Sequence, residues 1–193
     1  EDLSIMRSLP DITVVSPSTF WEVKKATRAI IENKKVCYLR LDKSVGHDPK
    51  KGESGTFTLG KSRMLADGDD FTIFVTGGIL EEVWDAYEDL KKSGYKIRII
   101  SIHTIKPFDT DSVIKASLET GAIISVEENT IDGGLGSVLC ETLLDNGIMP
   151  KKFLRIGLNS QFSSIVGSQK YLRECYGLDA KSIVSKITNL LKK

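Results

Sequence analysis

Cysteine is scarce in this chain of 193 residues: Cys37, Cys140 and Cys175 form neither a CxxC pair nor an even set, which excludes a disulfide framework or a zinc ribbon and fits a reducing cytoplasm. Histidine is scarcer still, with only His47 and His103. Charge of one sign is also missing. Lys plus Arg total 27 against 26 for Asp plus Glu, a formal net charge of +1, so no strong field exists to gather nucleic acid or an anionic membrane. No apolar run approaches the roughly 20 residues of a membrane span, and no basic-then-apolar leader opens the chain. A cytoplasmic protein without nucleic-acid or membrane partners is expected.

What is present is an ordinary folding composition, 40% hydrophobic with 16 glycines. Apolar β-branched runs alternate with segments of period near 3.6, the pattern of an α/β fold with a largely parallel sheet and helices on both faces. Ile12 to Ser16 reads as a strand, and Pro17, Ser18 and Thr19 then open a helix. Thr19 and Glu22 have capping-box spacing. Phe20, Val23, Thr27, Ile30 and Ile31 recur on one face, and Val36 to Leu41 closes a strand-helix-strand unit. Two strands and one helix bury too little apolar surface to stand alone, so this β-α-β piece is expected to belong to a larger sheet whose other strands lie outside the chain. Helix-like text is already running at Glu1, and the start is read as a processed or artificial cut.

Lys43 to Thr56 carries three glycines, a proline and no periodicity, and reads as a linker. The expected division is therefore 1–42, linker 43–56 and a second unit 57–193. In that unit, strands are expected at Phe71 to Thr76, Ile97 to Ile102, Ala122 to Val126 and Phe153 to Ile156. Helices follow at Ile79 to Leu90, Asp109 or Asp111 to Leu118, around Val138 to Leu143, around Leu172, and from Ile183 to Leu191. Four of them stop at Gly94, Gly121, Gly147 and Gly177, consistent with left-handed C-caps.

Several residues invite chemistry. Asp132-Gly133-Gly134-Leu135-Gly136-Ser137 lies between a strand and a helix, where glycines let backbone N–H groups approach a phosphate. The full dinucleotide fingerprint is absent, and a tight packing turn is the commoner meaning of such glycines. Thr76-Gly77-Gly78 is read in the same way. Glu127 and Glu128 stand at a strand's carboxyl end, where α/β sheets place ligands, but adjacent strand residues point to opposite faces and cannot easily share a site. His47 and His103 have no Ser or Cys partner at a diagnostic spacing. The cysteines read as small core residues, and Lys50, Lys51, Lys192 and Lys193 as solvated charge. Arg40 and Lys43 end the second strand of the first unit, well placed either for a phosphorylated substrate or for an ion pair with Asp42.

A resemblance extends this reading over essentially the whole chain. The opening EDLSIMRSLPDITVVSPSTFWEV resembles the segment of transketolase-type enzymes that follows their substrate-binding histidine in the pyrimidine-binding domain. VTGGILEEVWDAYEDLKKSGYKIRIISIHTIKPFD, VEENTIDGGLGSVLCETL and YGLDAKSI are similar, in order and spacing, to the transketolase C-terminal domain. The resemblance implies thiamine diphosphate and Mg2+ in the complete enzyme, with two-carbon ketol units moved between sugar phosphates. The activating glutamate, that histidine and the diphosphate and metal ligands would fall outside this chain. It is therefore expected to supply no catalytic, cofactor or metal residue and to be inactive alone. Its partners would be a second copy, as a homodimer, and the N-terminal portion of the enzyme. In several family members an arginine at the position of Lys43 contacts the sugar phosphate, so Lys43, with Arg40, is the candidate substrate contact; lysine keeps the charge and loses the two-pronged fork. A fragment of 1-deoxy-D-xylulose-5-phosphate synthase is the alternative within the class, and a stand-alone anion- or nucleotide-binding module is the alternative outside it.

Overall fold

The structure is a computed structural model, and it describes residues 1–43 and 55–192. The readings made for His47, Lys50, Lys51, Lys193 and most of the linker fall outside those residues. A helix α1 (Asp2–Ser8) leads to strand β1 (Ile12–Val15), helix α2 (Phe20–Glu32) and strand β2 (Val36–Leu39). Beyond the linker come β3 (Arg63–Ala66), β4 (Phe71–Thr76), α3 (Leu80–Lys92), β5 (Ile97–Ser101), β6 (Thr104–Lys106) and α4 (Thr110–Glu119). β7 (Ile123–Thr130), α5 (Leu135–Asp145), β8 (Phe153–Leu158), α6 (Gln169–Tyr176) and α7 (Ala180–Lys192) complete the order.

The strands form two sheets. The larger has the order β3-β5-β4-β7-β8, parallel except for β3, which runs antiparallel on β5. Its two faces are covered separately. Phe71, Ile73 and Val75 pack with Val83, Leu90, Ile183 and Ile187 of α3 and α7, while Phe74, Ile100 and Ile123 pack with Val113, Leu139 and Leu143 of α4 and α5. The strand period of two sends alternate β4 side chains into the two cores, which is why β4 is buried along its full length.

The smaller sheet has the order β2-β1-β6. β1 and β2 are parallel, as the crossover through α2 requires, and β6 lies antiparallel on the other side of β1. This corrects the expectation that every further neighbour of the β-α-β piece lies outside the chain. β6 supplies one from within, and Leu3, Ile12 and Val14 share a single core with Ile102, Ile105 and Leu135. On the far side β2 has no strand neighbour among the described residues. The apolar stripe of α2 faces outward there: Phe20 is 57% and Ile31 79% exposed, beside Val36 at 69%, and the helix buries Trp21, Glu22 and Ala26 instead.

Further differences have local causes. β7 runs on to Thr130 rather than ending at Val126, because four of its residues span only two of β8 and the strand bows out in between. Gly157 permits the bow, since a Cβ there would meet the Asn129 carbonyl oxygen and the Ile131 side chain. Gly94, Gly147 and Gly177 take the left-handed conformation after their helices, but Gly121 does not; its N–H is drawn into a bond with the Asp70 carbonyl. Cys37 and Cys140 are half-buried and Cys175 is exposed on α6, so the last is not a core residue.

Candidate functional site

The carboxyl ends of β1, β2, β4 and β7 converge where the two sheets meet. Arg40 leaves the end of β2 and reaches across, donating from Nη2 to the backbone carbonyl of Glu128 at 2.9 Å. Its Nε lies 3.3 Å from an Asp2 carboxylate oxygen, and Nη2 lies 3.7 Å from Asp42. Asp2 is held in turn by the Tyr38 hydroxyl at 2.8 Å, and Asp42 accepts from the N–H of Gly78. Of the two sequence-derived readings of Arg40, the ion pair with Asp42 is present, at the carboxyl end of the strand. Two carboxylates answer its charge, and its Nη1 is buried with no partner among the described residues. Lys43, three residues on, is exposed.

The glycine loop before α5 is a different construction from an open phosphate cradle. The Glu127 carboxylate turns into it and accepts from the N–H of Leu135 at 2.7 Å and of Gly136 at 2.8 Å. The first-turn amides, which a helix leaves without internal partners, are therefore satisfied by a side chain of the chain itself. Gly133 and Gly134 are required by close approach: a Cβ on the former would press on Ser4, and on the latter would overlap Glu127. α1 is fastened over the loop by the Ser4 hydroxyl donating to the Asp132 carbonyl at 2.7 Å, by Arg7 Nε donating to the Gly133 carbonyl at 2.9 Å, and by a two-pronged Arg7–Glu141 pair at 2.6 and 2.8 Å. Burial pushes Glu127 up to about 7, against the lowering effect of the two backbone amides.

Glu128 goes elsewhere. Its side chain accepts from Arg173 Nε at 3.0 Å and Nη2 at 2.8 Å, so the two adjacent carboxylates serve separate places, as strand alternation requires.

A third cluster joins the smaller sheet to the larger. The Thr19 hydroxyl accepts from the Glu22 N–H at 3.1 Å, and the Glu22 carboxylate accepts from the Ser18 N–H at 2.7 Å and the Ser101 hydroxyl at 3.0 Å. The capping box is therefore present with its return bond shifted one residue outward. Arg63 of β3 stands 3.7 Å from the fully buried Glu22 and lies over the Trp21 ring at 4.4 Å. His103 stacks on Phe57 with ring centroids 4.1 Å apart, and its Nδ1 is 2.9 Å from the Thr104 hydroxyl. Burial lowers its pKa to about 4, with the nearby Arg63 charge acting in the same direction, so it is a neutral core residue at physiological pH.

Sequence reasoning singled out Arg40, Lys43, Glu127, Glu128 and the glycine loop, but missed Arg173, Arg63 and the burial of Glu22. The capping-box spacing was the one available pointer to Glu22. Arg173 lies in a short, strongly polar helix and had none.

Residues 60–183 match the family described as the transketolase C-terminal domain, and the chain belongs to that family. It is 37% identical over 196 aligned residues to a putative transketolase C-terminal section of Methanocaldococcus jannaschii, covering 100% of this chain and 60% of that protein. It is 30% identical over 185 residues to 1-deoxy-D-xylulose-5-phosphate synthase 1 of Geobacter sulfurreducens, covering 95% of this chain and 29% of that enzyme. Among solved structures, a split gene transketolase described as an inactive beta4 tetramer superposes with a TM-score of 0.89 at 28% identity, covering 100% of this chain and 62% of that one. The chain thus spans about 60% of the length of its transketolase-section relative and less than a third of the synthase.

Proposed function

We propose that this chain is the C-terminal portion of a transketolase-like, thiamine diphosphate-dependent enzyme that transfers two-carbon ketol units between sugar phosphates. Residues 1–42 are the end of its pyrimidine-binding domain, 43–56 a linker and 57–193 its C-terminal domain. The observation that carries the reading is the end-to-end likeness to a split gene transketolase, both in sequence and in backbone. The exposed apolar stripe of α2 and the open side of β2 support it, because both present surface suited to further polypeptide.

The described residues do not by themselves fit the cofactor. No three of His, Cys, Asp or Glu among them gather closely enough to hold a metal ion, and the amide nest that could take a diphosphate is filled by Glu127. When bound in the complete enzyme, thiamine diphosphate would supply the carbanion chemistry, and no step of it is assigned to this chain. The contribution of the chain is binding and assembly: a homodimeric framework, with Lys43 and Arg40 reaching the phosphate of the substrate. The exposed ammonium of Lys43 carries the larger share, because the Arg40 guanidinium already answers Asp2 and Asp42.

Lys43→Ala in the assembled enzyme is expected to raise KM for a sugar phosphate about tenfold with kcat little changed, as loss of one charge-assisted contact does. An unchanged KM would remove Lys43 from the site. Formation of 1-deoxy-D-xylulose 5-phosphate by the same assembly, in place of ketol transfer, would favour the second reading supported by the synthase relative. The anion-binding module finds no support in the glycine loop, whose Leu135 and Gly136 donors are already engaged.

A further inference from the structure

We propose that Arg173 is a positioning residue for Arg40, acting through Glu128; its bearing on catalysis rests on the reading of Arg40 as part of the substrate-phosphate site. Arg173 is 4% exposed, and a buried guanidinium is tolerated only when its charge and donors are met. It is met by three carboxylates from two other elements. Nε and Nη2 converge on one oxygen of Glu128 in β7, while Nη1 lies 3.5 Å from Glu82 and 3.6 Å from Glu81 in the first turn of α3. The Gln169 amide donates to both Glu128 oxygens at 3.1 and 3.2 Å. The side chain of Glu128 is therefore anchored from α6 at two points.

What this anchoring fixes is the main chain of Glu128. Residue 128 lies within the bow of β7, between the pairings Val126↔Ile156 and Thr130↔Leu158, where the regular ladder to β8 is interrupted. A carbonyl in such a bow is free to accept from elsewhere, and this one accepts from Arg40 Nη2 at 2.9 Å. Of the same guanidinium, Nε faces Asp2 and the same Nη2 lies 3.7 Å from Asp42, while Nη1 has no partner among the described residues. Arg173 touches none of these atoms. Without it, Glu128 keeps only the neutral Gln169 amide as an anchor and faces Glu81 and Glu82 uncompensated, so the bow relaxes and its carbonyl moves away from Arg40.

The test has two readouts. In the chain alone, the side-chain Nε–H resonance of Arg40, identified by its loss in Arg40→Lys, is followed by nitrogen-15 NMR in Arg173→Gln and Arg173→Lys. Arg173→Gln is expected to shift that resonance and hasten its exchange with water. Arg173→Lys keeps the charge without the fork and shifts it less, and it carries the test if the glutamine variant does not fold. A folded variant with the Arg40 resonance unmoved overturns the proposal. In the assembled enzyme, Arg173→Gln is expected to raise KM for a phosphorylated acceptor about two- to threefold, less than Lys43→Ala, leave KM for its unphosphorylated analogue unchanged, and combine non-additively with Arg40→Lys. If the resonance moves but Arg40→Lys itself leaves KM unchanged, the substrate reading of Arg40 falls while its coupling to Arg173 stands.

Discussion

The backbone of Gly134 lies so close to Glu127 that a methyl group on the glycine would overlap the carboxylate. That carboxylate occupies the N-terminal amides of α5, so the glycines of the loop serve an internal anion. Gly134→Ala should therefore cost roughly 2 to 3 kcal/mol, the scale of overpacking a buried site together with loss of a satisfied polar group. Glu127→Gln should cost less, because the amide oxygen still accepts one N–H. Urea unfolding of both variants checks the order; equal stability of Gly134→Ala and the parent chain would show the loop to be open.

His103 and Glu127 give opposite dependences of stability on pH. Between the ordinary imidazole value of 6.5 and about 4, the unfolded chain binds a proton at residue 103 that the folded chain refuses, so stability falls as pH drops through that window. Between 4.5 and about 7 the folded chain holds a proton on Glu127 that the unfolded chain has lost, so this contribution, complete below 4.5, is lost as pH rises through 7. His103→Phe should remove the first slope, on the order of 3 kcal/mol across its window, and Glu127→Gln the second. Urea titrations at intervals from pH 4 to 8 measure both; variants that keep the parent slopes would contradict the assignment.

Arg63 is the partner of a carboxylate with no exposure at all. Arg63→Ala would leave Glu22 buried without its cation and remove the nearer of two cations over Trp21, so a loss of about 3 to 5 kcal/mol is expected. Glu22→Gln with Arg63→Met, which removes both charges together, should recover most of it. Thermal unfolding of the single and double variants decides: an additive double variant would mean that the two side chains do not act as a pair.

The outward stripe of α2 and the side of β2 that lacks a neighbour mark where further polypeptide is expected to dock. Amides of Cys37 and Leu39, which point away from β1, should exchange quickly in the chain alone and slow by at least about tenfold on addition of the N-terminal portion. Unchanged exchange on β2 with slowing elsewhere would move the docking surface.

The central strands of the larger sheet were legible because they are buried on both faces. FTIFVT is an unbroken apolar or β-branched run, IRIIS carries three isoleucines in five residues, and the helix between them repeats cleanly at 3.6. β3 and β6 were not legible. Arg63–Ala66 is four residues with no β-branched member, at an edge, and Thr104–Lys106 is three residues ending before Pro107. Both are strands because of the neighbours they meet, and β6 in particular pairs with β1 across about 90 residues of sequence, which no local pattern encodes. The same limit applies to the site. Arg40 and Lys43 could be found from their place at a strand end, whereas the burial of Arg173 depends on three carboxylates that only the tertiary fold brings to it.

As one portion of a transketolase-like enzyme, the proposed role of this polypeptide, the chain would hold the cofactor only together with the rest of the assembly. Isothermal titration calorimetry of thiamine diphosphate with Mg2+ into the isolated chain, and into the chain mixed with its N-terminal portion, tests this most directly. No measurable heat of binding is expected in the first case and saturable binding in the second. Saturable binding to the isolated chain would contradict this expectation.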